Sequence, residues 1–282
     1  MIAITGATGK LGQLVAAALL AKVPAKDIAV LVRSPEKAAA LAAQGVSVRQ
    51  ADYRNPQSLT DALHGVSKLL LISSNEVGQR LAQHQAVIEA AKSAGVTLLA
   101  YTSLLHADSS PLLLAAEHRA TEAAIRASGI PFVFLRNGWY TENYTENFAS
   151  ALAHGVLIGS AQDGKIAAAT RADYAAAAAA VLSEPGHENK VYELAGDVPF
   201  TMTELAKELS ARTGKTIPYQ DLPPEQYRSI LLGAGLPAPY AEIFVDADLG
   251  ITQGALHDES HDLQRLIGRT TTPLAVSVAA AF

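Results

Sequence analysis

The sequence predicts an α/β fold, a doubly wound parallel sheet with a smaller, mostly helical C-terminal domain, and three observations predict it. Strand and helix signals alternate from the first residues to about position 135. The strand signals are short, uninterrupted apolar runs such as Ile28-Ala29-Val30-Leu31-Val32, the pattern of strands covered on both faces. The helical segments between them stop at Gly45, Gly65, Gly95 and Gly129, where a left-handed turn ends a helix.

The first element narrows the class. Met1-Ile2-Ala3-Ile4-Thr5 reads as a buried strand running into Gly6-Ala7-Thr8-Gly9-Lys10-Leu11-Gly12 and then into an apolar helix over residues 13–22. Gly6 supplies backbone angles closed to other residues, Gly9 has no Cβ to obstruct a pyrophosphate, and Gly12 lets the helix pack against the strand. The helix would point unpaired N–H groups and the positive end of its dipole at the anion. A glycine-punctuated turn between strand and helix is the phosphate-binding start of a Rossmann-type sheet. Gly6, Ala7, Thr8, Gly9, Lys10 and Leu11 are therefore candidate dinucleotide contacts.

The second strand, residues 27–33, selects the dinucleotide. Its carboxyl end meets the adenosine ribose, where an NAD-specific chain places Asp or Glu to accept from the 2′-hydroxyl. This chain places Arg33 there, followed by Ser34 and a helix over residues 35–44 opened by Pro35. A guanidinium offers a phosphate a planar fork of donors, each charged hydrogen bond being worth about 1.5–3 kcal/mol. The expected cofactor is NADPH, with Lys10 as a second positive charge.

The remaining elements follow in order: a strand at 46–50 leading to Asp52, a helix at 56–63, a strand at 68–72 and a helix at 79–93. A strand at 97–102, a helix at 112–128 and a strand at 132–135 complete the alternation. Ligands in open α/β sheets bind outside the carboxyl ends of the strands. That rule adds Ser73, Ser74 and Asn75, and the segment Asn137-Gly138-Trp139-Tyr140-Thr141-Glu142, whose aromatics and amides suit a flat ring. The alanine run at 175–180 reads as a packed helix rather than low complexity, because alanine is the best helix former. A strand at 191–194 and a helix opened by Thr201 and Glu204 and ended by Gly214 come next. The predicted domains are 1–135, binding the dinucleotide, and 136–282, a smaller substrate domain with segments returning to the sheet.

Composition removes other functions. The net charge is −5 and no basic run tracks a phosphate backbone, so nucleic acid is not an expected partner. There is no cysteine, which excludes disulfides, thiolate nucleophiles and cysteine-ligated metals. His257 and His261 have helical i, i+4 spacing, but the acidic Asp258, Glu259 and Asp262 mark a solvated face without a third ligand, so no metal is expected. Glu117 and Glu122 read likewise as exposed helix charges. The apolar stretch at 11–21 is too short to cross a bilayer and no charged leader precedes it, so the expectation is a cytoplasmic protein without membrane insertion.

The start Thr5-Gly6-Ala7-Thr8-Gly9-Lys10-Leu11-Gly12, the segments Ala100-Tyr101-Thr102-Ser103 and Leu135-Arg136-Asn137-Gly138-Trp139-Tyr140-Thr141-Glu142-Asn143, and the late helix from Thr201 together resemble the NmrA-like, atypical branch of the short-chain dehydrogenase/reductase superfamily. The resemblance runs nearly end to end. It implies a Rossmann domain binding NADPH, a smaller C-terminal domain, and two-electron reduction of small-molecule quinones without flavin. It also implies cofactor contacts at Gly6 to Leu11, Arg33, Ser73 to Asn75 and Asn137 to Glu142.

One absence bears on mechanism. Members acting on alcohols and ketones use Tyr-x-x-x-Lys, and no tyrosine here has a lysine four residues on. Relatives resembling isoflavone reductase use a lysine on the helix after the fifth strand, where this chain has His118. His118 and Tyr140 are the remaining candidates for a proton donor. Quinone reduction tolerates the loss, because hydride addition gives an aromatised anion that water can protonate. The family takes its name from a regulator that binds dinucleotide without catalysis, so a redox sensor with a protein partner is the alternative. A homo-oligomer is compatible with the sequence.

Overall fold

In the computed structural model, which describes residues 1–282, the strands are β1 (Ile2–Thr5), β2 (Ile28–Val32), β3 (Ser47–Gln50), β4 (Lys68–Leu71), β5 (Leu98–Leu104), β6 (Phe132–Asn137), β7 (Leu157–Gly159), β8 (Lys190–Leu194) and β9 (Tyr219–Asp221). The first helices are α1 (Lys10–Leu20), α2 (Ala39–Ala43), α3 (Pro56–Ala62), α4 (Arg80–Ser93) and α5 (Ala115–Ser128). They are followed by α6 (Glu142–Thr145), α7 (Phe148–His154), α8 (Arg171–Ser183) and α9 (Met202–Thr213). The last four are α10 (Pro224–Gly233), α11 (Ala238–Thr252), α12 (Asp262–Ile267) and α13 (Leu274–Ala279).

Seven strands form one sheet in the order β3-β2-β1-β4-β5-β6-β8, the doubly wound arrangement the sequence predicts. β1 pairs in parallel with β2 and β4, so the strand order runs outward in opposite senses on either side of it. β1, β2 and β5 are buried along their whole length because helices cover both faces. Tyr101, Phe134, Leu69 and Leu71 are fully buried in one cluster with Val87 and Ile88 of α4. On the other face α8 packs against α1. Its alanine run is buried along nearly its whole length, and such small side chains let two helices approach closely. No helix is long and apolar enough to cross a membrane.

The chain divides into two compact units. The first comprises residues 1–107, 116–137 and 171–192; the second comprises 108–115, 138–170 and 193–282. Within the second, β7 and β9 form a short parallel sheet that the sequence reading does not contain. Both are three residues long, below the length at which periodicity is legible. The helix opened by Thr201 is α9: Thr201 Oγ1 accepts from the Glu204 N–H (3.1 Å) and Glu204 Oε2 accepts from the Thr201 N–H (2.7 Å).

Two local expectations are corrected. Helix α1 starts at Lys10, not at residue 13, with Gly9 as its cap, so Gly12 lies inside the first turn. His257 and His261 do not share a helical face: α11 ends at Thr252 and His261 caps α12 with φ of 58°. His261 Nδ1 lies 3.3 Å from Asp197 and His257 Nε2 lies 3.7 Å from Glu259.

Candidate cofactor site

Parallel register brings the strand ends together. Thr5 lies beside Leu31, and Val32 beside Gln50, so the residues following β1, β2, β3 and β4 emerge on one edge. There the backbone ladder gives way to side chains. Thr5 Oγ1 accepts from the Ile72 N–H (3.0 Å) and Thr102 Oγ1 accepts from the Ser73 N–H (2.8 Å). The chain after β4 is thereby held at the sheet end while its other face opens on a cavity of about 730 Å³, within the range of small-molecule sites.

The glycine turn forms one wall. Gly6 sits at φ of 61°, a left-handed conformation that favours glycine. The Gly9 N–H donates to the Gly6 carbonyl (2.9 Å), closing the turn over the start of α1. A Cβ on Gly12 would stand 2.3 Å from the Gly6 oxygen and 2.7 Å from the Ala7 Cα, distances no side chain can occupy. A Cβ on Gly9 would meet only the Gly6 oxygen, at 3.2 Å. Gly12 is thus required by packing, whereas the bare edge of Gly9 lines the cavity. The positive end of α1 faces that space, the arrangement that binds phosphate groups.

Charged side chains line the same cavity. Lys10, Arg33, Lys37 and Arg54 line the cavity with the carboxylates of Asp52 and Glu76. Glu76 joins two of the cations: Oε2 lies 3.0 Å from Arg54 Nη2 and Oε1 lies 3.5 Å from Arg33 Nη1. Hydrogen bonds from Arg54 and Gln83 hold the Glu76 carboxyl below its ordinary pKa. Tyr53 also lines the wall; burial pushes its phenol up to about 12, so it is neutral at physiological pH.

Arg54, Lys37, Tyr53, Glu76 and Gln83 are missing from the sequence-derived site. The signal for Tyr53 and Arg54 is their place beside Asp52 after β3, and for Glu76 its adjacency to Asn75. Gln83 lies on a helix interior and has no sequence signal.

The Ser73–Glu76 loop is held by side chains of α4 and α5. His84 Nε2 accepts from the Ser74 N–H (3.0 Å), which places the ring proton on Nδ1, 3.0 Å from Thr121 Oγ1. Burial lowers the His84 pKa to about 3, so this neutral tautomer persists. Arg80 Nε donates to the Ser74 carbonyl (2.7 Å) and its Nη1 lies 3.2 Å from Glu117. Ser74 Oγ donates to Gln83 Oε1 (2.5 Å), and Gln83 Nε2 donates to Glu76 Oε2 (2.8 Å).

Of the residues expected from the sequence, Gly6, Thr8, Gly9, Lys10, Leu11, Arg33, Ser73, Ser74 and Asn75 line this one cavity. Ala7 does not; it is fully buried beneath the turn. Asn137 is buried at the end of β6, and its Oδ1 has no hydrogen-bond partner, an acceptor that a bound group or water would complete. In the second unit, Gly138 donates its N–H to the Leu194 carbonyl (2.8 Å) and Tyr140 bridges Ala169. Trp139 is buried edge-on against Phe244. Thr141 lines a smaller cavity of about 200 Å³, and Glu142 opens α6.

His118 does lie on the helix after the fifth strand, but it is buried and its Nδ1 meets the Tyr101 hydroxyl at 2.8 Å. Burial drives its pKa well below the ordinary value, leaving the ring neutral. Glu117 and Glu122 are not solvated charges. Glu122 is 3% exposed and pairs with Arg136, while Glu117 accepts from the Gly78 N–H (3.0 Å) beside Arg80. Their places on α5 face α4 and β6, which a single-helix pattern does not reveal.

The chain is 58% identical over 282 residues, all of it and 99% of the relative, to quinone oxidoreductase 2 of Escherichia coli (strain K12). The crystal structure of the NADPH-dependent quinone oxidoreductase from Escherichia coli, complexed with NADPH, superposes with a TM-score of 0.97 over 99% of both chains. The Citrobacter sp. triphenylmethane reductase complexed with NADP(H) is 45% identical, with a TM-score of 0.95 over both full lengths. The model of the NmrA-like family matches residues 1–254, and the chain belongs to that family.

Proposed function

We propose that the protein is an NADPH-dependent oxidoreductase that reduces quinones by two-electron hydride transfer, without flavin. The observation that carries this reading is the cavity at the strand ends, lined both by a glycine turn at a helix N-terminus and by guanidinium groups. The residues present fit the dinucleotide. Gly6 to Leu11 would hold its pyrophosphate against α1, Arg33 its 2′-phosphate, and Ser73 to Asn75 the span between them. We assign Asn137, at the carboxyl end of β6, to the nicotinamide end. NADPH supplies hydride when bound.

The chain's own contribution is to bind and orient. Holding two reactants at reacting distance supplies several kcal/mol, up to about 7–11 in well-oriented systems. A reduced quinone takes its protons from water, so neither His118 nor a Tyr-x-x-x-Lys pair is required. The identity to the Escherichia coli quinone oxidoreductase supports the quinone as substrate. The test is loss of nicotinamide absorbance with purified protein, a quinone series, and NADPH and NADH in parallel. Quinone-dependent oxidation preferring NADPH is expected. Tight NADPH binding without turnover of any quinone would overturn the enzyme reading in favour of a sensor.

A further inference from the structure

We infer that Glu76 is a specificity-determining residue that tunes how strongly the protein prefers a 2′-phosphorylated dinucleotide, by acting as a built-in competitor for the phosphate's guanidinium groups. The inference rests on the proposed NADPH site and adds a residue to it.

Three observations carry it. First, Glu76 engages both exposed arginines of the cavity at once, Arg54 at 3.0 Å and Arg33 at 3.5 Å, through separate carboxylate oxygens. Second, the carboxylate is placed rather than loosely arrayed. Its own N–H donates to Ser74 Oγ (3.2 Å), and the buried Gln83 donates to its Oε2 (2.8 Å) while accepting from Ser74. Third, the arginines are free to swing. Their side chains are 67% and 65% exposed, whereas Glu76 is 29% exposed and anchored to the chain after β4.

An anchored anion between two mobile cations acts differently on two ligands. A 2′-phosphate must draw the guanidinium groups from Glu76 and then bear its negative charge nearby. A ligand with a 2′-hydroxyl brings no such charge and leaves the ion pairs in place. Glu76 therefore restrains the affinity for the phosphorylated cofactor and its release product while leaving the other nearly untouched. Exposed ion pairs are individually weak, so the effect is one of tuning.

The test uses the full chain and the adenosine halves alone: 2′,5′-ADP and 5′-AMP, which differ only in the 2′-phosphate, titrated calorimetrically into wild type and Glu76→Gln. The substitution keeps shape and the hydrogen bond from Gln83 while removing charge. Expected is roughly three- to tenfold tighter binding of 2′,5′-ADP and less than about twofold change for 5′-AMP. The gain should shrink as salt is raised, because screening weakens the competition. The NADPH-to-NADH ratio of kcat/KM should rise in parallel. Equal weakening of both ligands would overturn the inference and make Glu76 a contact to the adenosine. Weakening of 2′,5′-ADP alone would overturn it by showing that Glu76 orients the arginines for phosphate, and unchanged affinities would overturn it outright. Wild type that fails to distinguish the two ligands would remove the phosphate site itself, a different failure visible before any substitution.

Discussion

Arg136 grips Glu122 with two nearly parallel hydrogen bonds, Nε to Oε1 at 2.9 Å and Nη2 to Oε2 at 2.7 Å, with both side chains almost wholly buried. Ser103 Oγ adds a third donor to Oε1 at 2.6 Å. The pair ties α5 to β6 and β5 on one face of the sheet. Breaking a buried pair strands the surviving charge, at a cost of about 3–5 kcal/mol. Glu122→Ala should lower unfolding stability by that amount, read from the urea midpoint at constant slope. A loss under about 1 kcal/mol would mean that Arg136 finds water or another partner.

Gly12 and Gly9 should respond differently to alanine. The Gly12 Cβ would stand 2.3 Å from a backbone oxygen, so α1 must move away from β1. Gly12→Ala is expected to lose about 2 kcal/mol or more of stability together with cofactor binding. Gly9→Ala meets its neighbour at 3.2 Å, so its melting temperature should stay near wild type while NADPH affinity falls, because the methyl stands at the cavity wall. Equal thermal losses in the two variants would contradict this division.

Arg33→Glu should weaken NADPH at least tenfold and NADH much less. A charged hydrogen bond to phosphate is lost and a repulsion is gained, each worth about 1.4 kcal/mol or more. Fluorescence titration with both nucleotides decides it. An equal loss for both would take Arg33 out of the 2′-phosphate site.

What the sequence discloses is local, and what it hides is pairwise. The turn from Gly6 to Gly12 is legible because each glycine answers a backbone demand within a few residues. Arg33 is legible because its strand is an unbroken apolar run with a definite end. Glu122 is not, since its partner Arg136 lies beyond a helix end and a turn, and only packing of α5 on β6 turns an apparent surface charge into half of a buried pair. Glu76 and Arg54 meet across the ends of β4 and β3, strands that are not neighbours in the sheet order. The β7–β9 pair joins segments some sixty residues apart through three residues each. In each of these, the missing information is which distant element comes alongside.

His118→Ala should leave quinone turnover within about threefold of wild type. The ring is buried against Tyr101 and is neutral, not imidazolium, at neutral pH. Stability should fall by about 1–3 kcal/mol, because the substitution leaves a cavity and an unpaired Tyr101 hydroxyl. A hundredfold loss of kcat with an unchanged melt would restore the acid role.

The pH dependence of stability sets two buried histidines against one buried carboxyl. His84 and His118 have pKa values depressed by burial, His84 to about 3, from an ordinary 6.5. Their unfolded forms take up protons below pH 6.5 while the folded forms do not, so each removes stability as pH falls, at ~1.4 kcal/mol per pH unit. Asp248 runs the other way. It is buried on α11, its Oδ2 accepts from the Ser160 N–H at 2.7 Å, and burial raises its pKa from 3.8 to about 7. Folded Asp248 keeps its proton between those values while the unfolded chain loses it, so this group's contribution falls as pH rises. Above the ordinary aspartate range and below about pH 6.5, the His84 slope offsets that of Asp248 and His118 adds to it, so the protein should destabilise toward acid. Asp248→Asn removes the opposing slope, and an amide oxygen can still accept from Ser160. Its acid destabilisation should therefore be steeper than that of wild type, measured by urea unfolding at half-unit intervals. An Asp248→Asn profile parallel to wild type would show that the carboxyl titrates alike in the folded and unfolded chain.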